Sequence, residues 1–371
     1  MRILIVTNKV KTYALGFQNT LDPLVELGHD VVWAADFSKF VGDKSCIPCK
    51  TVQISIDSNP FKPCNIKALK QLIRVIEDEK IEAIQCSTPI GGMIGRIAAR
   101  IKKVPLVIYA AHGFLFFKGA PLINRTMYKL QEKLMARWTD VLITITDEDC
   151  RAAENFKLRS GRKPYLVHGA GVEIGREIVV DRIAKRRELG IPESAFVMVS
   201  AGFLNKNKNN RVLIEAMGQL KSPNLHYLVC GEGEERDNLV MLAKKCGVED
   251  KVLFLGYRTD IGEIMASADL YAMPSFREGV PRALLEAMDL GVACIGSDTR
   301  GIRELLSNGE GGILCKPNSA EQYAAGIDKL MTNPELREKM RVLNSEVKKG
   351  YTKERVRQEL YDIYSEVLKK D

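Results

Sequence analysis

The run Ser275-Phe276-Arg277-Glu278-Gly279-Val280-Pro281-Arg282-Ala283-Leu284-Leu285-Glu286 concentrates the chemistry of this chain. It follows an apolar strand-like run, DLYAMPS, and opens into a helical pattern. Pro281 suits a first helical turn, where its missing N–H costs nothing. The amides of a helix start have no partner inside the helix, so those around Gly279, Val280 and Arg282 form an anion site, and a diphosphate is the natural guest. Glu278 stands just before the helix, and Glu286 lies inside it between Leu285 and Ala287. A carboxylate in an apolar run needs hydrogen-bond donors, which two ribose hydroxyls would supply. The spacing is equally compatible with Glu286 on a solvated helix face.

These residues need elements to hold them, and strand and helix signals alternate throughout. Apolar strand-like runs occupy residues 2–6, 31–34, 83–86, 106–109 and 141–146, with helical patterns at 66–79 and 91–102 between them. A second set of runs follows at 196–200, 226–230, 252–255, 270–273, 293–296 and 312–315. Strands apolar on both faces and joined by helices imply parallel sheets in doubly wound α/β domains. The expected organisation is 1–170, 171–350 and a helical tail at 351–371, and whether that tail crosses back to the first domain stays open. Ligands of open α/β sheets bind beyond the C-terminal strand ends.

The 371 residues suffice for two domains with their own cores. No apolar run approaches the roughly 18 residues that span a bilayer. The start, MRILIVTN, reads as a buried strand rather than a signal peptide, so a cytoplasmic protein is expected. Nine scattered cysteines, several inside strand-like runs, read as reduced and buried thiols. Cys46 and Cys49 form one CxxC, but zinc would need a second ligand pair, and the four histidines show no ligand spacing. Asp147-Glu148-Asp149 mimics a metal motif, yet it opens a helix, where acids serve as caps. The net charge of +8 resides entirely in residues 1–170, a basic half suited to anionic lipid, a lipid-linked phosphate or nucleic acid.

Glu278 and Glu286 form an E-x7-E pair, and FREGVPRALLEAMDLGVACIGSD resembles the donor-site signature of family 4 retaining glycosyltransferases. AGFLNKNKNNRVLIEAM resembles that family's lysine loop, and AHGFLFFKGAPLINRTMYKLQEKLMARWTDVLITITDED resembles a bacterial branch that builds capsular, exopolysaccharide or O-antigen units. The resemblance spans the chain with its motifs in order. It implies the GT-B fold, two Rossmann-like domains facing each other across a cleft, and no catalytic metal or cofactor beyond a UDP-sugar co-substrate. By resemblance, Lys208 grips the donor diphosphate, Glu278 holds sugar hydroxyls, Glu286 holds the ribose, and Tyr257 and Arg258 border the nucleobase. Gly231 belongs to another cleft-facing turn, and His112, at a strand end, faces the transferred sugar; a turn histidine that caps the backbone is the alternative.

The sequence departs from the family pattern in places. Phe203 stands where many relatives carry arginine, which removes one cation from the diphosphate, and Arg211 is a candidate replacement. Histidines common in the closest branch are absent near Gln85 and Leu115. The loop at residues 8–16 offers only Gly16 for close approach to the diphosphate. Arg125, Lys129, Lys133 and Arg137 form a basic stripe on one helical pattern, accompanied by Leu122, Ile123, Met127, Leu130 and Leu134. That helix either packs into the core with a solvated face or touches an anionic leaflet and a polyprenyl-diphosphate-linked saccharide, with the protein peripheral on the inner face of the membrane. The expected activity is transfer of a hexose or N-acetylhexosamine to such a lipid-linked acceptor. A sugar-nucleotide epimerase and a non-catalytic sugar-nucleotide-binding subunit are the alternatives. Nucleic-acid binding is disfavoured, because the basic helix lacks a set of stacking aromatics.

Overall fold

The structure, a computed structural model, describes all residues except 14, 58, 118, 119, 121, 170, 176, 177, 179, 370 and 371. The chain forms two compact units, one of residues 1–171 and 353–371 and the other of residues 172–352. Ala170, the expected boundary, lies outside the described residues.

The first unit runs β1 (Arg2–Lys9), α1 (Leu15–Glu26), β2 (Asp30–Asp36), β3 (Lys50–Gln53), α2 (Cys64–Asp78), β4 (Ala83–Ser87), α3 (Pro89–Lys102), β5 (Leu106–Ala111), α4 (Leu122–Ala136), β6 (Val141–Thr144), α5 (Asp147–Ala153) and β7 (Tyr165–Leu166). The strands pair in parallel in the order β3-β2-β1-β4-β5-β6-β7. Alternate residues of one strand serve opposite cores: Ile3 and Ile5 join one cluster, Leu4 and Val6 the other. That two-sided burial is why the strands read as continuous apolar runs. β3 and β7 escaped the sequence reading because KTVQ and YL are short, half-buried edge strands.

The second unit runs α6 (Arg182–Glu188), β8 (Phe196–Ala201), α7 (Arg211–Leu220), β9 (Leu225–Cys230), α8 (Arg236–Cys246), β10 (Val252–Gly256), α9 (Ile261–Ser267), β11 (Leu270–Met273), α10 (Arg282–Asp289), β12 (Ala293–Ser297), α11 (Arg300–Leu305), β13 (Ile313–Cys315), α12 (Ala320–Thr332) and α13 (Pro334–Val347). Its parallel sheet has the order β10-β9-β8-β11-β12-β13. The chain runs from β8 outward to β10, then returns to add β11 on the other side. The strand order therefore reverses between β8 and β11, and such a switch point opens a crevice at the C-terminal strand ends.

The last helix, α14 (Lys353–Val367), belongs to the first unit. Val356, Leu360, Ile363 and Tyr364 recur at helical spacing and join the core of Leu21, Leu24 and Trp33. Arg357 pairs with Glu26, and Glu359 accepts from both the backbone N–H and the ring of His168. The expected tail ran to Asp371, and residues 370 and 371 lie outside the described set.

Candidate active site

Three loops leave the C-terminal ends of β8, β9 and β11, and two of them belong to the switch-point strands. The first carries Lys208 and the third carries Glu278. Lys208 Nζ donates to Glu278 Oε1 at 2.8 Å although 70 residues separate them. Both side chains are largely but not wholly covered. Asn205 steadies the lysine loop, since its Oδ1 accepts from the Lys208 N–H at 3.0 Å. Gly231, after β9, has φ +141°, and a Cβ there would lie 1.9 Å from the Gly202 carbonyl oxygen. Only glycine allows the first two loops to approach so closely.

Pro281 sits at the N-cap of α10 in extended conformation, one position before the helix rather than in its first turn. Among the described residues, the N–H groups of Glu278, Gly279 and Val280 meet no protein acceptor. Buried or half-covered amides that lack acceptors are suited to an anion. Within α10, Leu284, Leu285, Ala287 and Met288 are buried, and Glu286 turns to the open face. There it lies 3.8 Å from Arg282, and both line a cavity of about 510 Å³ shared with Thr259, Ile261 and Met265. That size suits a small ligand.

The loop after β10 divides in two. Tyr257 is 76% exposed. Arg258 is engaged by protein: it bridges to Asp260 at 2.6 Å and to Glu188 at 3.3 Å, so its guanidinium is not available as an unpaired group beside a base. Lys185, on α6, contacts Asp260, Glu188 and Glu263 within 3.0 Å. The hydrogen bond from Arg258, followed by that from Lys185, holds the Asp260 carboxyl well below its ordinary range against the opposing effect of desolvation. Arg186 reaches the carbonyls of Glu193, Ala195 and Ser267 and the carboxylate of Asp269. The Lys185 contacts tie α6 to the segment after β10, and the Arg186 contacts tie it to the N-terminal ends of β8 and β11, away from the loops that carry Lys208 and Glu278.

Other residues fall differently from expectation. Arg211 does not replace the arginine absent at Phe203: it is a surface residue paired with Glu215 on its own helix, and Phe203 is exposed. Gly16 is the second residue of α1, not part of the preceding loop, and its carbonyl accepts from Thr20 Oγ1. His112 is exposed immediately after β5. The cap of α5 is Thr146, whose side chain accepts from Asp149 N; the three acids fill the first turn instead. Cys86, Cys230, Cys294 and Cys315 are buried and their thiols are pushed up to about 12 by desolvation, whereas Cys46 is exposed.

The core-packing reading of α4 fails. Leu122, Ile123, Met127, Leu130 and Leu134 are all exposed, and the buried residues of the helix are Glu132, Met135 and Ala136. Glu132 accepts two bonds from Arg96, at 2.8 and 3.2 Å, and the Arg96 guanidinium lies 3.8 Å over the Tyr109 ring. The last turns of α4 are anchored by this buried pair while its apolar stripe faces outward. Arg125, Lys129, Lys133 and Arg137 are exposed and make no ion pair among the described residues. A groove of about 410 Å³ beside α4 is lined mainly by apolar surface, with Phe116, Phe117 and Leu122 next to Arg125 and Lys129. Among the described residues no helix is long and apolar enough to cross a membrane.

The sequence reading missed Asn207, Asn209, Lys185, Arg186 and Arg300. Asn209 donates to the carbonyls of Pro274 and Pro317, and Arg300 Nε donates to the Glu278 carbonyl at 3.2 Å. Their one signal was polarity at strand–helix junctions, in NKNKNN and SDTRG.

Residues 181–343 match the family model described as Glycosyl transferases group 1, and residues 17–146 match that described as Glycosyl transferase 4-like. EpsD of Bacillus subtilis (strain 168), named as a glycosyltransferase, is 35% identical over 90% of this chain and 87% of its own length. An Escherichia coli protein, UDP-Gal:alpha-D-GlcNAc-diphosphoundecaprenol alpha-1,3-galactosyltransferase, is 28% identical over 70% of this chain and 68% of its own. Among solved structures, Anabaena HepE in complex with UDP and glucose superposes with a TM-score of 0.76 at 20% identity, covering 99% of this chain and 100% of that one. That likeness concerns the fold, two parallel-sheet α/β domains of the GT-B kind.

Proposed function

The chain belongs to the group 1 glycosyltransferases, and on that premise we propose that it moves a hexose or N-acetylhexosamine from a UDP-sugar to a hydroxyl of a polyprenyl-diphosphate-linked saccharide, with retention, in bacterial surface polysaccharide synthesis. The observation that carries the reading is the meeting of Lys208 and Glu278 on the switch-point loops, beside amides that lack protein acceptors.

The chemistry follows from what each group offers. As the sugar–phosphate bond breaks, negative charge gathers on the diphosphate. A fixed ammonium and preset amides stabilise that charge without reorganising. Glu278 holds Lys208 in place and presents its second oxygen to sugar hydroxyls. Glu286, on the open face of α10 beside the cavity, accepts from the ribose hydroxyls. No carboxylate nucleophile is required: the acceptor attacks the face the phosphate leaves, and the departing phosphate takes its proton. The protein supplies position and charge, in a metal-independent transfer. For His112 the reading keeps the role the resemblance implies, contact with the transferred sugar.

The acceptor side of the reading draws on α4. An apolar stripe facing outward, next to four cations that make no ion pair among the described residues, fits an anionic leaflet. The E. coli relative's name specifies a diphosphoundecaprenol-linked acceptor, and the groove beside Arg125 and Lys129 has the apolar wall and charge for such a molecule.

The deciding experiment incubates the protein with a panel of UDP-sugars and lipid-linked acceptors and measures UDP release. Acceptor-dependent release with an α-linked product supports the proposal. Free epimerised sugar nucleotide formed without acceptor would refute it.

A further inference from the structure

We propose that Arg300 and Asn207 are positioning residues that aim the backbone amides of Glu278 and Gly279 at the donor's phosphates. The inference rests on the donor reading above. No described peptide bond is cis, and in a planar trans unit the C=O and N–H point in opposite directions. The Arg277 carbonyl shares its peptide unit with the Glu278 N–H, and the Glu278 carbonyl shares its unit with the Gly279 N–H. Asn207 Nδ2 donates to the first carbonyl at 3.0 Å, and Arg300 Nε donates to the second at 3.2 Å. Each anchor thus turns the matching amide away from itself, and neither amide has an acceptor among the described residues.

Both anchors are themselves held. Asn207 is tied to the same loop through its own carbonyl, which accepts from the Phe276 N–H at 2.9 Å. Arg300 is 3% exposed, so little water competes for its bond to the carbonyl. The start of α11 is locked against the loop as well: a Cβ on Gly301 would fall 1.3 Å from the Gly279 oxygen. The two backbones can therefore meet only because position 301 is glycine. Arg300 adds an electrical effect to the steric one. A cation on a carbonyl polarises its peptide, and the Gly279 N–H at the other end becomes a stronger donor to an anion.

A role confined to aiming amides at phosphate predicts a loss that depends on the ligand's phosphates. Calorimetric titration of the full chain with uridine and with UDP reads this out. Arg300→Gln keeps a hydrogen-bonding side chain and removes the charge. It should weaken UDP binding roughly tenfold, the scale of one charge-assisted hydrogen bond, and leave uridine within about twofold. Equal losses for both ligands, or no loss for UDP, would overturn the proposal. Asn207→Ala, at a half-covered side chain, carries the same prediction if Arg300→Gln fails to fold. A wild-type chain with no affinity for UDP would overturn the donor reading itself before any variant is compared.

Discussion

The donor loops of the second unit and helix α4 of the first handle positive charge in opposite ways. Around the donor loops several cations are met by carboxylates: Lys208 by Glu278, Arg258 by Asp260, Lys185 by three acids. On α4, Arg125, Lys129, Lys133 and Arg137 stand exposed with no ion pair among the described residues, and the apolar side chains beside them face outward too. Under the proposed function the difference matches two kinds of recognition. Transition-state stabilisation needs charges that are already held in place, because reorganisation at the moment of reaction would cost what the charge contributes. Attraction to an extended anionic surface needs no fixed geometry, and pairing the cations internally would cancel the field that reaches the surface.

The comparison can be broken at its anchors. The largest effect should come from Arg96, which fastens the end of α4. Arg96→Ala leaves the Glu132 charge buried without its partner and should cost about 3–5 kcal/mol of unfolding free energy, measured by denaturant titration. A loss under about 1 kcal/mol would mean that α4 is held by other contacts. Next, Lys208→Ala should lower the turnover number by roughly 100- to 1000-fold while the chain stays folded, the scale of losing one preset transition-state charge. Unchanged turnover would take the lysine out of the mechanism.

The network behind Arg258 sharpens the contrast through pH. The Asp260 carboxyl is held low by Arg258 first and Lys185 second, so its stabilisation is present above the unfolded aspartate value, near about 3.9, and fades as pH falls below it. Asp260→Asn should lower stability by about 1–3 kcal/mol at pH 7, with the gap to wild type narrowing below about pH 4. A gap constant from pH 7 to pH 3 would assign the loss to packing instead. The smallest effect belongs to the exposed stripe. Lys129→Ser should weaken binding to phosphatidylglycerol vesicles by about 1 kcal/mol, with less loss at high salt. Binding indifferent to this substitution would leave the stripe as a solvated face.

Much of this was legible in the residues themselves. The sheets could be read because parallel strands buried on both faces must be continuously apolar, as in residues 2–6 and 196–200; KTVQ and YL, half-buried at the first sheet's edge, had no such signature. Glu278 and Glu286 stood out through their E-x7-E spacing about a helix start, and Lys208 through the resemblance of its loop to the family's lysine loop. Arg300 and Asn207 stand at strand–helix junctions but act on backbone carbonyls, a partner with no residue type to mark it. The outward stripe of α4 was ambiguous because periodicity gives a helix's faces without saying which one the core receives.

The sequence alone determined two doubly wound halves, the helix start that offers amides, and the residue types beside it, since each follows from local periodicity and backbone chemistry. Tertiary structure alone decided that Lys208 meets Glu278 across 70 residues, that Arg258 and Arg211 are occupied by acids, and that α4 turns its leucines outward. Those outcomes depend on which loops the strand order brings together and which helix face finds a partner, and neither is encoded in the spacing of any one segment.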